Sequence, residues 1–373
     1  MRILLLLSLL ILSAGSSCLD SQTVLPGQLG QITDASVASC LPYKDSDTAH
    51  QCLLIANPYQ GAARVFDAMA NQFVLSPIGY FPLAVASGKA PNQVATLDGK
   101  TFVLDPVTRA IYEIPSSLIS PLAPMKGLDF TPNLFVLTKD DMGKIWALVS
   151  DNFTIIHAVP LEAGAAFSFD MGMAVNLIQV DLSHQYFFVA SGANLFQFAV
   201  GAIFTAGGPK IPEALVQTSA IRAMAADATN FYLSLAEKKL VVYSTVNETA
   251  QGSMTLDAVA QAIYLPGSMA GTPTPCCNGA KEWIAVLLTN GGFQYLAYTN
   301  GVFGETQKLF IPDDSGISSF ALSNPIKLLG VNATGHGNDG LGCERRLFLV
   351  YSGTLLNTCE GSRVVKRLDQ MAY

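Results

Sequence analysis

A strand–turn–strand unit recurs seven times along the chain and limits the possible folds more than any other pattern in it. In each unit a run of β-branched and aromatic residues is followed by a short polar turn and a second such run, which is typical of a β-hairpin. The first unit spans 52–67 and the last spans 347–356. The turns begin near residues 58, 105, 150, 191, 236, 289 and 352, so successive turns are 41 to 63 residues apart.

Most hairpins are preceded by a shorter apolar run that is rich in alanine. Examples are Leu83–Ala86, Ala174–Ile178, Ala223–Ala225 and Val259–Ile263. Small side chains suit a strand that is crowded around a central axis. The run and the hairpin supply three strands per unit, and the polar linker that follows leaves room for a fourth. An isolated hairpin is only marginally stable, so these units must pack against one another.

A four-stranded unit repeated every 40 to 50 residues is typical of a β-propeller blade. The sequence therefore predicts an all-β fold, with a seven-bladed β-propeller over residues 34–373 as the first choice. A pair of β-sandwiches is the alternative, but it does not explain the near-regular hairpin spacing. The stretch 81–88, followed by 98–104, resembles the blades of exported bacterial propellers of the YVTN and quinoprotein-like kind. That resemblance carries no motif diagnostic of one family.

The N-terminus predicts export. Arg2 precedes the apolar stretch Ile3–Leu12, and small residues fill positions 13–17, which is the pattern of a signal peptide over residues 1–17. Cys18 follows directly and resembles the lipid-modified cysteine of bacterial lipoproteins. The resemblance implies a membrane-anchored lipoprotein in the periplasm or on the cell surface, with residues 18–33 as a tether. Ordinary cleavage that leaves Cys18 unmodified is the alternative.

Cysteine usage fits an oxidising compartment. Without Cys18, six cysteines remain: Cys40, Cys52, Cys276, Cys277, Cys343 and Cys359. An even number in an exported protein predicts disulfides. The closest non-adjacent spacings favour Cys40 with Cys52 and Cys343 with Cys359, which would leave Cys276 and Cys277 as a vicinal bridge. In the alternative, one of that pair reaches Cys343.

Charge and hydropathy exclude two classes of protein. The chain has 21 Lys and Arg against 28 Asp and Glu, a net charge of −7, so a phosphate-tracking basic surface and a nucleic-acid partner are not expected. No apolar run of about 18 residues follows the N-terminal stretch, so we expect no transmembrane span in the mature chain.

Candidate ligand-binding residues are few. His336, Asn338 and Asp339 lie in a glycine-rich insertion of the last unit and are candidates for a binding loop. Asp227, Asp257 and Asp313 lie in or near the inner runs and are candidates for a metal site in a central channel. His50, His157 and His184 are expected to be exposed residues at strand ends. No motif for a catalytic elbow, a zinc protease or a phosphate loop occurs, and we expect no cofactor.

These observations favour a non-enzymatic protein-interaction scaffold in the bacterial cell envelope, with an envelope protein as its partner. Two alternatives stay open at this point. One is a metal-dependent propeller hydrolase or lactonase, which requires the aspartates to converge on one ion. The other is a carbohydrate-binding module, which rests on the 12 tyrosines and 2 tryptophans.

Overall fold

Seven antiparallel sheets contain nearly all of the regular structure that the computed structural model describes. The described residues are 23–24, 32–39, 51–57, 62–67, 72–73, 80–82, 93–114, 124–151, 153–181, 183–204, 208–227, 229–265, 283–299, 301–309, 324–332, 345–352 and 354–359. One 3₁₀ helix, Val200–Phe204, is the only helix in these ranges. None of the described helical structure is long and apolar enough to cross a membrane.

Each sheet is one blade, built from strands that follow one another along the chain except at the last blade. A short strand, β1 (Thr23–Val24), comes first. Blade 1 contains β2 (Asp34–Ser39), β3 (Gln51–Asn57), β4 (Ala62–Asp67) and β5 (Gln72–Phe73), with β6 (Tyr80–Pro82) also paired to β4. Blade 2 contains β7 (Gln93–Leu97), β8 (Lys100–Asp105), β9 (Ala110–Ile114) and β10 (Lys126–Gly127). Blade 3 contains β11 (Pro132–Lys139), β12 (Ile145–Asp151), β13 (Ile155–Pro160) and β14 (Phe167–Asp170).

The remaining blades repeat this plan. Blade 4 contains β15 (Leu177–Val180), β16 (Tyr186–Ser191), β17 (Asn194–Ala199) and β18 (Val216–Gln217). Blade 5 contains β19 (Ile221–Ala226), β20 (Asn230–Leu235), β21 (Lys239–Ser244) and β22 (Ala250–Thr255). Blade 6 contains β23 (Ala260–Tyr264), β24 (Trp283–Leu288), β25 (Phe293–Thr299) and β26 (Val302–Leu309). Blade 7 contains β27 (Pro325–Asn332), β28 (Arg345–Tyr351), β29 (Thr354–Cys359) and β1.

The blades form a closed ring, which confirms the predicted seven-bladed propeller. The first strand of every blade contacts the first strands of the blades on both sides, and β27 of blade 7 contacts β2 of blade 1. These seven strands, which we call the inner strands, surround the central axis. All seven hairpins predicted from the sequence are present as the second and third strands of the blades.

The N-terminal strand closes the ring. In β1, Thr23 pairs with Leu355 and Val24 pairs with Thr354, so the fourth strand of blade 7 comes from the start of the chain. Ile32, just before β2, is 2% exposed and packs in the core between blades 7 and 1. Part of the segment 18–33 that was predicted as a tether therefore belongs to the propeller. Residues 1–17 and Cys18 lie outside the described residues.

The hydrophobic core lies between neighbouring blades. In each cluster the side chains come mainly from the second and third strands of two adjacent blades, because both faces of every sheet are covered. Between blades 3 and 4, for example, Phe187 and Phe198 stack with ring centroids 4.9 Å apart, and Phe169 lies 5.6 Å from Phe198. Burying a side chain of this size stabilises the fold by about 1.5–3 kcal/mol.

Two sequence predictions differ from the structure in their position. The inner strand of blade 2 is β7, ten residues beyond the start of the predicted run 83–86, and all of that run lies outside the described residues. In blade 3 the third strand begins at Ile155, and Phe153 lies in the turn with 73% of its surface exposed.

The ring has two ends, which we name by the connections they carry. At the linker face the chain crosses from the last strand of one blade to the inner strand of the next, and the hairpins between the second and third strands turn. At the turn face each inner strand turns back into the second strand, and each third strand turns into the fourth. Because the inner strands run in the same direction around the axis, their first residues all lie at the linker face.

Candidate functional site

Most residues singled out from the sequence lie outside the described residues. These are Cys18, Cys40, His50, Cys276, Cys277, Asp313, His336, Asn338, Asp339 and Cys343. Cys359 is the last residue of β29. Cys52 in β3 is fully buried and disulfide-bonded, and its bonding partner is not among the described side chains. The pairing of Cys40 with Cys52 therefore stays a prediction.

The two described metal candidates lie at opposite ends of the ring. Asp227 follows β19 at the turn face, whereas Asp257 precedes β23 at the linker face. Asp257 is exposed and accepts a hydrogen bond from Gln294 Nε2 at 2.9 Å. The structure therefore does not bring these two carboxylates together. Within the described ranges, no three His, Cys, Asp or Glu side chains are grouped closely enough to hold a metal ion.

Asp227 organises the turn in which it lies. It is 4% exposed and accepts hydrogen bonds from Thr229 N at 2.7 Å, Thr229 Oγ1 at 3.0 Å, Asn230 N at 2.7 Å and the Tyr232 hydroxyl at 2.7 Å. Burial, and then the neighbouring Asp227 carboxylate, raise the pKa of Tyr232 far above its ordinary value, so this hydroxyl stays a donor. The Asp227 carboxylate therefore accepts four hydrogen bonds from groups of its own blade.

The turn between the inner strand and the second strand also carries an aspartate in blades 3 and 4. Asp140 accepts hydrogen bonds from Met142 N, Lys144 N and Trp146 Nε1 at 2.9 to 3.0 Å. Asp181 accepts from Tyr186 N at 2.8 Å and from the Ser183 hydroxyl. The three aspartates are 41 and 46 residues apart, close to the hairpin spacing. That spacing is the signal by which the sequence marks them as turn-forming residues.

Polar side chains gather at the linker-face end of the inner strands. Four inner strands have a register shift of the β-bulge type after their first residue, at Asn133, Arg222, Gln261 and Ile326. Asn133, Arg222 and Gln261 are exposed. A bulge redirects a side chain and is frequent near functional sites. We call Asp34, Gln93, Asn133, Arg222, Gln261 and Lys327 the linker-face rim.

Asp34 joins three blades in this rim. Its Oδ2 accepts a hydrogen bond from Val94 N of blade 2 at 2.9 Å, and its Oδ1 lies 3.0 Å from Lys327 Nζ of blade 7. The side chain of Asp34 is 13% exposed and that of Lys327 is 38% exposed. Gln93 Nε2 donates to the carbonyl oxygen of Asn133. The rim is therefore ordered by contacts across blades 7, 1, 2 and 3.

The turn face of blades 3 and 4 exposes apolar side chains. Met142 is 89% exposed, Tyr186 41% and Ile211 40%, and Phe204 is half-buried. We call these four residues the turn-face patch. The Phe204 ring lies 4.5 Å from the Trp146 ring, and Trp146 Nε1 donates to Asp140 in the same turn as Met142. Val200 N donates to Gln185 O, which places the 3₁₀ helix beside Tyr186.

Charged and titratable groups border this patch. Lys139 Nζ lies 3.3 Å from both carboxylate oxygens of Asp98. His184, in the adjacent turn, is half-buried, and its Nδ1 is buried without a hydrogen-bond partner among the described residues. Burial and then Lys139 lower the pKa of His184, while Asp181 and Asp98 oppose them. The expectation that His184 is exposed is therefore wrong, although it lies just before the start of β16, as predicted.

His157 is also half-buried rather than exposed. Its ring stacks on Phe130 with centroids 3.6 Å apart and 8° between the planes, and its Nδ1 lies 2.8 Å from Ser168 Oγ. Burial lowers its pKa, and Asp151 and Asp129 oppose that shift. His157 lies in β13 of blade 3 and is not one of the rim or patch residues.

The chain resembles propellers among solved structures. A structure of BBS1N in complex with ARL6DN has a TM-score of 0.62 and 13% identity, with 92% of this chain and 96% of that chain covered. Virginiamycin B lyase from Staphylococcus aureus has a TM-score of 0.54 and 11% identity, with 91% and 97% covered. At such identities the likeness shows the fold alone. No family model and no curated protein sequence matches the chain.

Proposed function

We propose that the protein is a non-enzymatic interaction scaffold of the bacterial cell envelope, which binds a protein partner through the turn-face patch. The observation that carries the proposal is the exposure of Met142, Tyr186 and Ile211 at the turn face of blades 3 and 4. Exposed apolar side chains scattered singly are ordinary, whereas a cluster beside polar groups is typical of an interaction site.

The chemistry of the patch suits a protein surface. Tyrosine and methionine are enriched in interfaces, because tyrosine buries a large ring with few rotatable bonds and methionine adapts to irregular surfaces. The Asp98–Lys139 ion pair and His184 would supply the polar border that surrounds such a centre. Polar borders contribute orientation and association rate more than affinity.

A related architecture offers support for a protein partner. The BBS1N propeller was solved in complex with ARL6DN, so a propeller of this overall shape holds a second protein in that case. The partner that we propose here is an envelope protein, because the signal-peptide pattern over residues 1–17 implies export.

The anchor that we propose is a lipid on Cys18. Only residues 19–22 separate Cys18 from β1, and β1 is paired within blade 7. Four extended residues reach about 14 Å. A lipidated chain would therefore hold the outer edge of blade 7 close to the membrane. The disulfide at Cys52 supports an oxidising compartment, and we propose Cys40 as its partner and Cys343 with Cys359 as a second pair.

In-cell crosslinking tests the proposal. Cells that express the wild-type chain or Cys18→Ala are crosslinked, and the protein is recovered by affinity pull-down and examined by mass spectrometry. We expect one dominant envelope partner with the wild type and a reduced yield with Cys18→Ala, whose chain should also leave the membrane fraction. Recovery of no stoichiometric partner in either form would contradict the scaffold proposal.

A further inference from the structure

The turn between β15 and β16 carries a titratable ring next to a residue of the turn-face patch. His184 lies two residues before Tyr186, and the backbone of both residues is held by Asp181. His184 N donates to Asp181 O at 3.1 Å, and Tyr186 N donates to Asp181 Oδ1 at 2.8 Å. The φ angle of His184 is 57°, in the left-handed region that few residues other than glycine adopt. The backbone of His184 is therefore fixed relative to Tyr186 by a defined turn.

Three charged side chains act on the His184 ring. Asp181 belongs to the same turn, Lys139 is the last residue of β11 in blade 3, and Asp98 lies in the β7–β8 turn of blade 2. Lys139 Nζ and Asp98 Oδ1 are 3.3 Å apart and form an ion pair. Lys139 directly precedes the turn that carries Met142 of the patch. His184 therefore belongs to a cluster of charged groups that adjoins the turn of Met142 as well as its own turn.

The environment of His184 favours its neutral form. The ring is half-buried, and its Nδ1 is buried without a hydrogen-bond partner among the described residues. Burial and then Lys139 lower the pKa of His184 from its ordinary value of 6.5, whereas Asp181 and Asp98 oppose that shift. Burial acts in this direction because it removes water from the charged imidazolium. The ring is therefore neutral at neutral pH and becomes charged in acidic surroundings.

A protein that covers the patch would act on this equilibrium. Such a partner removes more water from a ring that is already half-buried, and so disfavours the charged form further. Proton binding and partner binding therefore oppose each other, since the coupling between two binding events is reciprocal. A charged His184 ring would also attract the Asp181 carboxylate, which in the neutral state holds Tyr186 N. Protonation would thus perturb the turn that presents Tyr186.

We propose that His184 is a pH-sensing residue of the turn-face patch and that its protonation weakens the binding of the protein partner. This inference rests on the function proposed above, because it names the regulation of the surface to which the partner is assigned. A scaffold that is regulated in this way releases its partner in acidic surroundings and binds it again when the pH rises.

The test is crosslinking in isolated cell envelopes at about pH 8 and about pH 5, with the wild-type chain, His184→Asn and His157→Phe. Asparagine does not titrate and tolerates the left-handed φ of this position. We expect the recovery of the partner with the wild type to fall at least about threefold at the lower pH, and His184→Asn to lose most of this fall. His157→Phe is the matched control, because it removes a half-buried histidine that is not in the patch, and it should respond as the wild type does.

The outcomes separate this inference from the proposed function. Circular dichroism checks that each protein stays folded at both pH values. Equal recovery with the wild type at both pH values, or an equal fall with His184→Asn, would overturn the role of His184 and leave partner binding standing. Recovery of no partner at either pH would contradict the scaffold function and this inference with it.

A second measurement needs no partner. In an NMR titration of the purified full chain, we expect the ring signals of His184 and Tyr186 to shift with the same midpoint. Lys139→Gln should raise the pKa of His184 and so move this midpoint to higher pH, because it removes a neighbouring cation and leaves the Asp98 carboxylate unneutralised. A midpoint that stays in place, or a Tyr186 signal that does not follow His184, would overturn the proposal.

Discussion

The Tyr232 hydroxyl donates a 2.7 Å hydrogen bond to Oδ2 of Asp227, and both side chains are buried where blade 5 turns from its inner strand to its second strand. The position of Asp227 near an alanine-rich run makes its carboxylate a candidate metal ligand from the sequence alone. In the fold it accepts hydrogen bonds from the turn backbone, from Thr229 and from Tyr232. Its role is to hold the turn in one geometry.

Removing this carboxylate should therefore destabilise the propeller. Asp227→Ala leaves the Tyr232 hydroxyl and the turn N–H groups without their acceptor, and we expect a loss of about 2–4 kcal/mol in the free energy of unfolding. Urea denaturation measures it. The matched control is Asp141→Ala, because Asp141 is exposed in the equivalent turn of blade 3 and should change stability by less than about 0.5 kcal/mol. Equal effects of the two substitutions would contradict the assigned role.

Because blades 5 and 6 approach each other closely at Gly252, we expect substitution of this glycine to destabilise the fold. A Cβ atom on Gly252 in β22 would lie 2.4 Å from the carbonyl oxygen of Gly301, which is backbone and cannot rotate away. We expect Gly252→Ala to cost about 1–3 kcal/mol. Gly127→Ala is the control, since its added Cβ would meet no atom within 4 Å. Thermal unfolding of the two variants should separate them, and a Gly252→Ala midpoint equal to that of Gly127→Ala would show that the blades can move apart freely.

The half-buried His157 should make stability depend on pH. The pKa of His157 is lowered in the fold from its ordinary value of 6.5, mainly by burial. At a pH between the pKa of the folded state and that of the unfolded state, the unfolded chain therefore binds the proton more readily. The contribution of neutral His157 to the free energy of unfolding is complete above pH 6.5 and is lost as the pH falls through the pKa of the folded state.

His157→Phe separates this contribution from others, because a phenyl ring can keep the stack on Phe130 but cannot titrate. We expect the free energy of unfolding to fall less between about pH 8 and about pH 5 in the variant than in the wild type. The lowered pKa of His184 acts in the same direction and leaves a residual slope in both proteins. Identical slopes would show that His157 does not contribute.

The hairpins could be predicted because the residues that form each hairpin are close together in the sequence. A run of strand-forming residues, a turn and a second run are contiguous, and units such as 231–243 fall within one residue of β20 and β21. The inner strands are less regular, because neighbouring blades rather than their own periodicity hold them in place. Closure by β1 was missed for the same reason, since two residues, Thr23 and Val24, gain their strand structure only from β29.

The site could be predicted only in part. The insertion that contains His336 lies outside the described residues, and its role stays a prediction. The spacing of Asp140, Asp181 and Asp227 is close to the hairpin spacing, and this is the sequence signal of a repeated turn residue. The bulges that expose Asn133, Arg222 and Gln261 leave no mark in the sequence, because an extra residue in one strand is defined only by its pairing with the next.

The central claim, that the turn-face patch binds an envelope protein, is tested most directly by quantitative in-cell crosslinking of Met142→Asp against Val246→Asp. Both residues are more than 80% exposed in turns at the same face, but Met142 belongs to the patch and Val246 lies in the β21–β22 turn of blade 5. We predict that Met142→Asp reduces the recovered partner about tenfold or more, as expected for loss of a central contact, and that Val246→Asp retains it. Equal recovery with both variants would contradict the claim.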